Sequence, residues 1–440
     1  MTRRVYIETY GCQMNVADTE LMLGVLSREG YEATDDPSGA DVLLLNTCAI
    51  RDNAEQRVIG RMGELKRYKR ADVVLGVVGC MAQRLGPRLL EDAPFVDLVI
   101  GPDGYRALPE LIGSAANGQR AAEVSFRPWE HYEDVPLVRS ERVGAFVTVQ
   151  RGCDYRCTFC VVPMTRGRER SRTLADVVSE VRTLADQGVT EVTLLGQTVN
   201  AYHDGQADFA DLLRAVGAVD GLRRLRFTSP YPTEFTDRTV VAMAEVDAVC
   251  EHVHLPVQSG STELLKRMGR RYTRDDYLAV VDRLRAAIPD LALTTDIIVG
   301  FPGETDQDFE ATDQLVRDVA FDDAYTFKFS PRDGTGALRL PNPVPDAVAG
   351  ARLEQLIATV RDVARRRNLA LVGTTHEVLV EKIARRGGRL QTRTRTNKVA
   401  LVDGPPDWVG SYLRVRLSGT TGSTFTGVPV QPGRELAIVG

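Results

Sequence analysis

Arg151-Gly152-Cys153-Asp154-Tyr155-Arg156-Cys157-Thr158-Phe159-Cys160 sets three cysteines on one short loop, with three and then two residues between them. The loop follows Ala145-Phe146-Val147-Thr148-Val149, an apolar run that predicts a strand. A thiol trio at the end of a strand can hold a metal centre. A structural zinc wants four ligands in a closed tetrahedron, so zinc requires a fourth ligand elsewhere in the chain. A four-iron cluster on three thiolates instead keeps one iron open to a ligand that is not protein. Cysteine spacing alone leaves both readings standing.

Downstream the chain repeats a βα pattern. Leu174, Val177, Val178, Val181 and Leu184 predict a helix over 174–187, stopped by Gly188. Apolar runs at 192–195, 225–228, 253–257, 294–299 and 325–329 predict strands. With 145–149 they make six, which suits a partial (β/α)6 barrel. The cysteine loop then lies at the carboxyl face, where barrel enzymes keep their chemistry. Gln197, Asn200, Gln258, Ser259 and Asp296 sit at other strand ends and should face the same mouth. Gly300, with Gly303, would let backbone approach a ligand closely or make a plain turn. Between Arg151 and Arg172 six Lys/Arg stand against two acids, a patch suited to a carboxylate, to RNA phosphate or simply to solvent. His252 and His254 share one face of a strand and are read as packed, hydrogen-bonded residues. Cys250 is read as a buried structural thiol.

The first third also alternates strand and helix, and predicts a doubly wound parallel sheet. Its strands at 5–9, 42–45 and 73–78 end at Gly11-Cys12, Asn46-Thr47-Cys48 and Gly79-Cys80. In such sheets the carboxyl strand ends line the ligand crevice. Cys12, Cys48 and Cys80 are therefore expected to converge, although free cysteines are also common as unrelated core residues. Each lies near a helix N-terminus, which favours thiolate.

From about 113 to 141 the pattern breaks down into a connecting segment. After a long helix over about 346–369, short strands alternate with Gly and Thr turns, predicting a small OB-like β-barrel. Residues 371–440 hold ten Lys/Arg and five Asp/Glu; with a formal net charge of −5 for the chain, the rest carries −10. A basic tail on an acidic body points to a polyanion, and Arg393, Arg395, Lys398, Arg414 and Arg416 are the candidate RNA contacts. The domain reading is α/β: 1–116, a linker over 117–140, a barrel over 141–370, and the small β-barrel over 371–436. At 440 residues, 43% apolar and 26% charged, the composition is that of a soluble globular protein. No signal peptide or spanning run is read, so a cytoplasmic location is expected. Seven cysteines there argue for metal or catalysis over disulfides.

All three parts, in order, resemble the methylthiotransferase family of radical S-adenosylmethionine (SAM) enzymes. The resemblance rests on the Cys153/Cys157/Cys160 loop with Phe159 before its last cysteine. It rests also on Thr9-Tyr10-Gly11-Cys12-Gln13-Met14-Asn15, Asn46-Thr47-Cys48-Ala49-Ile50-Arg51 and Gly167-Arg168-Glu169-Arg170-Ser171-Arg172. It implies an N-terminal cluster domain, a radical SAM barrel and a TRAM domain for RNA. Two 4Fe–4S clusters are implied, a radical SAM cluster on Cys153, Cys157 and Cys160 and an auxiliary one on Cys12, Cys48 and Cys80. SAM would serve both as radical source and as methyl donor, held by Phe159, Gln197, Asn200, Gln258, Ser259, Asp296 and Gly300. The implied reaction is methylthiolation at C2 of an isopentenylated tRNA adenosine beside the anticodon. The implied partners are that tRNA and an electron donor such as flavodoxin or ferredoxin, with the enzyme a monomer. Thr198 and Tyr231 depart from the family pattern, which has asparagine and histidine there, and neither is expected to touch a cluster ligand. A sister branch acting on another tRNA base or a ribosomal aspartate, and a two-cluster electron carrier or RNA-binding sensor without SAM chemistry, are the competing readings.

Overall fold

The structure is a computed structural model and describes residues 2–49, 52–139 and 143–430. Ile50 and Arg51 of the second cysteine motif, the expected boundary at 140–141, and the expected end of the last domain over 431–436 lie outside the described residues.

The N-terminal sheet is parallel throughout. Its strands are β1 (Arg3–Tyr10), β2 (Tyr31–Ala33), β3 (Val42–Thr47), β4 (Val74–Gly79), β5 (Leu98–Ile100) and β6 (Ala121–Glu123), in the order β2-β1-β3-β4-β5-β6. The central strands β3 and β4 are buried along their whole length, as continuous apolar runs in a two-faced sheet require. Separate apolar cores on the two faces, one around Leu44 and Val78 and one around Leu43 and Leu75, make the sheet doubly wound. The linker differs from expectation. Residues 121–123 add the sixth strand, while Tyr132 and Val135 pack into the N-terminal core.

The middle strands are β7 (Gly144–Thr148), β10 (Glu191–Leu195), β11 (Arg224–Phe227), β12 (His252–His254), β13 (Ala292–Val299) and β14 (Asp323–Lys328), with a small ribbon of β8 (Gln150–Arg151) and β9 (Arg170–Ser171) between the first two. Two parallel sheets, β11-β10-β7 and β12-β13-β14, are joined where Leu225 bridges Val249. The result is an open, six-stranded half-barrel. Capping boxes at Asp208, Thr273 and Thr305 start its crossover helices cleanly, each satisfying backbone donors at both ends of the first turn.

Helix Asp346–Ala370 leads to a closed barrel of β15 (Thr375–Ile383), β16 (Leu390–Thr394), β17 (Val399–Val402), β18 (Tyr412–Thr420) and β19 (Thr424–Pro429), ordered β15-β16-β17-β19-β18. This barrel caps the amino ends of the half-barrel strands. Arg224, with no exposed surface, donates through Nη1 to the Arg393 carbonyl at 2.9 Å and through Nη2 to Glu377 at 3.0 Å. Arg226 donates to the carbonyls of Arg395 and Thr394, each at 2.9 Å. No helix among the described residues is long and apolar enough to cross a membrane.

Candidate active site

Each N-terminal cysteine is placed by the strand before it. Cys12 caps helix Gln13–Ser27 two residues past β1, Cys48 follows β3 directly, and Cys80 opens helix Cys80–Leu85 straight after β4. The three loops are tied together by buried amides. Asn15 Nδ2 donates to Asn46 Oδ1 at 3.1 Å and to the Thr47 carbonyl at 3.2 Å, and Asn46 Nδ2 returns a bond to the Asn15 carbonyl at 2.6 Å. Thr47 Oγ1 donates to the Val78 carbonyl at 2.7 Å. Gly11 is required in this knot: a Cβ there would stand 2.3 Å from Asn15 Oδ1 and 2.9 Å from the Cys48 Cβ.

The middle loop is held equally tightly. Gly152 lies at φ +78°, and a Cβ on it would meet the Arg168 carbonyl oxygen at 1.9 Å. The Cys153 amide bonds the Gly167 carbonyl at 3.1 Å, and the Thr158 amide bonds the Met268 carbonyl at 2.8 Å. Cys153 Sγ is 3.2 Å from Thr198 Oγ1, and Arg270 Nη1 donates to Cys157 Sγ at 3.4 Å. Arg270 also lies over the Tyr231 ring, 4.3 Å from its centroid, and Tyr231 stacks on Tyr155 at 3.8 Å. The two departures from the family pattern therefore both bear on the cysteine loop. Thr198 touches Cys153 itself, against expectation.

Cys12, Cys48, Phe159 and Cys160 line one cavity of ≈ 2580 Å³, with Gln258 and Asp296 on its wall. That exceeds the few hundred to a thousand Å³ of an ordinary small-molecule pocket. Below them it is lined by His252, His254, Thr294 and Tyr325. Thr294 Oγ1 hydrogen-bonds His252 at 3.2 Å and His254 at 2.9 Å, so the histidines are packed as expected.

The other expected SAM residues are not brought to the cavity. Asn200 spends both ends of its amide on the Tyr231 backbone, at 2.9 and 2.7 Å. Ser259 has no exposed surface and bonds Thr312 and the Ser261 amide. Gly300 fits tightly against the long helix, since a Cβ there would stand 2.5 Å from that of Ala349. Polar strand-end residues serve a ligand or the fold's own hydrogen bonds, and a sequence does not say which. Gln197 is the opposite case: both atoms of its amide are buried without a partner among the described residues.

The basic face expected on the last domain is divided. Arg393 pairs with Glu381; Arg395 pairs with Glu251 at 2.7 Å and Lys398 with Asp322 at 2.8 Å. The last two tie the domain to the half-barrel. Arg414 and Arg416 alternate outward along β18 and are exposed.

The thiols differ in acidity. A hydrogen bond from Cys48, the Arg166 charge and the helix amides of Asn15 and Met14 hold Cys12 well below the usual thiol range, against its burial. Burial pushes Cys160 up to about 12. In the cluster-free chain Cys12 is therefore expected to take up iodoacetamide at or below neutral pH, and Cys160 only at strongly alkaline pH. Peptide mass spectrometry across a pH series reads both.

The residues fit iron–sulfur ligation. Two thiol trios stand at strand ends, and guanidinium groups face them: Arg270 at Cys157, Arg166 near Cys12 and Cys80. No three His, Cys, Asp or Glu side chains among the described residues close round a single metal ion. A four-iron cluster takes its protein thiolates on different irons and needs no such convergence.

A three-thiol loop at the mouth of a parallel half-barrel, matched over residues 147–316 by the radical SAM superfamily, makes this chain a radical SAM enzyme. Residues 4–101 match Uncharacterized protein family UPF0004. A protein of Geobacillus thermodenitrificans named tRNA-2-methylthio-N(6)-dimethylallyladenosine synthase is 46% identical over 435 residues, covering 97% of this chain and 83% of that protein. One of the same name from Porphyromonas gingivalis is 43% identical over 442 residues, covering 98% and 95%. The chain belongs to the family of these synthases. Among solved structures, the radical S-adenosylmethionine methyltransferase TsrM from Kitasatospora setae shares the fold, with a TM-score of 0.57 at 20% identity over 74% of this chain and 75% of that one.

Proposed function

We propose that this protein methylthiolates C2 of N6-(dimethylallyl)adenosine at position 37 of tRNAs reading codons that begin with uridine, using two SAM and two 4Fe–4S clusters. The observation that carries the reading is the single cavity on which Cys12 and Cys48 meet Phe159 and Cys160. Sulfur delivery and hydrogen abstraction must occur at one carbon, so both thiol sites need access to one chamber. Cys153, Cys157 and Cys160 would hold the radical SAM cluster, and Cys12, Cys48 and Cys80 the auxiliary one. So loaded, the site would supply radical chemistry able to break an unactivated C–H bond, together with sulfur and methyl transfer. Gln258 and Asp296, on the wall, are the groups left to bind and orient SAM. Phe159, edge-on to Phe301 at 6.4 Å, gives the chamber an apolar side that excludes water from a reactive intermediate. The terminal barrel forms the chamber's floor, and Arg414 and Arg416 on its outer face contact tRNA phosphate. Family membership and the motifs around Cys12, Cys48 and Gly167–Arg172 support this choice of substrate and codon class. The enzyme works in the cytoplasm as a monomer and takes electrons from a flavodoxin or ferredoxin.

Nucleoside mass spectrometry of tRNA from a deletion strain tests this. Loss of 2-methylthio-N6-(dimethylallyl)adenosine, restored by the intact gene, is expected. Unchanged levels with another tRNA base or a ribosomal aspartate left unmodified would assign the chain to a sister activity. Arg414→Ala and Arg416→Ala should each weaken tRNA binding and reduce the log–log salt slope by about 1. Arg395→Ala should instead loosen the seat of the last domain, read as faster proteolysis near 370–375.

A further inference from the structure

Arg166 closes the short helix Val162–Arg166 that follows Cys160, yet its guanidinium points out of the half-barrel and into the N-terminal domain. There Asp18, with no exposed side-chain surface, accepts from Arg166 Nη2 at 2.6 Å and from Arg151 Nη1 at 3.1 Å. Two buried guanidinium groups on one carboxylate leave a net positive charge in a dry interior. Such a charge is costly unless an anion meets it. Arg166 Nη1 is buried and makes no hydrogen bond of ordinary geometry among the described residues. What stands near it is the auxiliary trio: Cys80 packs against Val161 and Met164 of the same segment, and the Arg166 charge acts on both Cys12 and Cys80.

We propose that Arg166 is a further residue of the auxiliary cluster site, its Nη2 anchored by Asp18 and its Nη1–H donating to a sulfur of the anionic centre on Cys12, Cys48 and Cys80. This rests on the reading that those cysteines hold a cluster. The auxiliary site is then built from both domains, and the segment leaving the radical SAM loop is the piece that completes it. A cation and an N–H donor at the sulfur stabilise the reduced, more negative cluster and raise its reduction potential.

The test uses the full chain with Cys153, Cys157 and Cys160 changed to alanine, reconstituted anaerobically, so that only the auxiliary cluster remains. Iron content and an EPR-monitored redox titration are compared for Arg166, Arg166→Lys and Arg166→Gln. Arg166→Gln is expected to lose auxiliary iron or keep it at a more negative midpoint, with Arg166→Lys between the two. In the mirror background, with Cys12, Cys48 and Cys80 changed, Arg166→Gln should leave the radical SAM cluster's midpoint unmoved. Full iron at an unmoved auxiliary midpoint in both Arg166 variants overturns the inference alone, as does an equal shift in both clusters. No auxiliary iron in the Arg166 parent overturns the inference together with the two-cluster reading.

Discussion

Changing Cys153, Cys157 and Cys160 to alanine is expected to remove roughly four irons per chain and to abolish 5′-deoxyadenosine release from SAM under reducing conditions. Changing Cys12, Cys48 and Cys80 should remove a further four and stop methylthiolation, while SAM cleavage persists. The asymmetry follows from where the trios sit. Each is supported by its own hydrogen-bond knot: Asn15, Asn46 and Thr47 for one, Gly167, Thr198 and Arg270 for the other. Loss of one trio leaves the backbone that presents the other intact. Iron and sulfide analysis with product chromatography reads both halves. Zinc in either site, or SAM cleavage surviving loss of the central trio, would sink the assignment of roles.

Asp18→Ala is expected to be the most damaging single polar substitution in the cluster-free chain, costing about 3–5 kcal/mol, because it strands two buried cations. The partners are nearly sealed, with side-chain exposures of 8% for Arg151 and 5% for Arg166. The exposed pair Arg106–Asp134 is a fair control. Asp134 is 62% exposed, and Asp134→Ala should cost about 0–1 kcal/mol. Anaerobic urea unfolding separates them: a large drop in midpoint for the first, little for the second. Equal effects would mean that the Asp18 cluster is not a buried charge centre.

Much of the architecture is legible in the chain because short-range patterns carry it. The apolar runs over 42–45 and 73–78 read as buried strands, and the fully buried strands Val42–Thr47 and Val74–Gly79 stand there. The small terminal barrel is legible from its short strands and Gly and Thr turns. The strand at 121–123 escapes notice because Ala-Ala-Glu has no strand signature, and pairing with β5 alone makes it one. Of the expected ligand-facing residues, Phe159, Gln258 and Asp296 reach the cavity, whereas Asn200, Ser259 and Gly300 are taken up by the fold's own bonds and packing. Arg395 and Lys398 look like RNA contacts in isolation; Glu251 and Asp322, far away in sequence, claim them.

The order of residues by itself set the phase of the six cysteines of the two trios, each placed where a strand stops, because hydrophobic period and turn chemistry act over a few neighbours. Only the tertiary structure decided which charges face which. Asp18 and Arg166 meet across 148 positions of sequence, and such a pairing depends on how the N-terminal sheet and the half-barrel pack. Burial then makes it matter, since a charge that water would have screened must there find a partner.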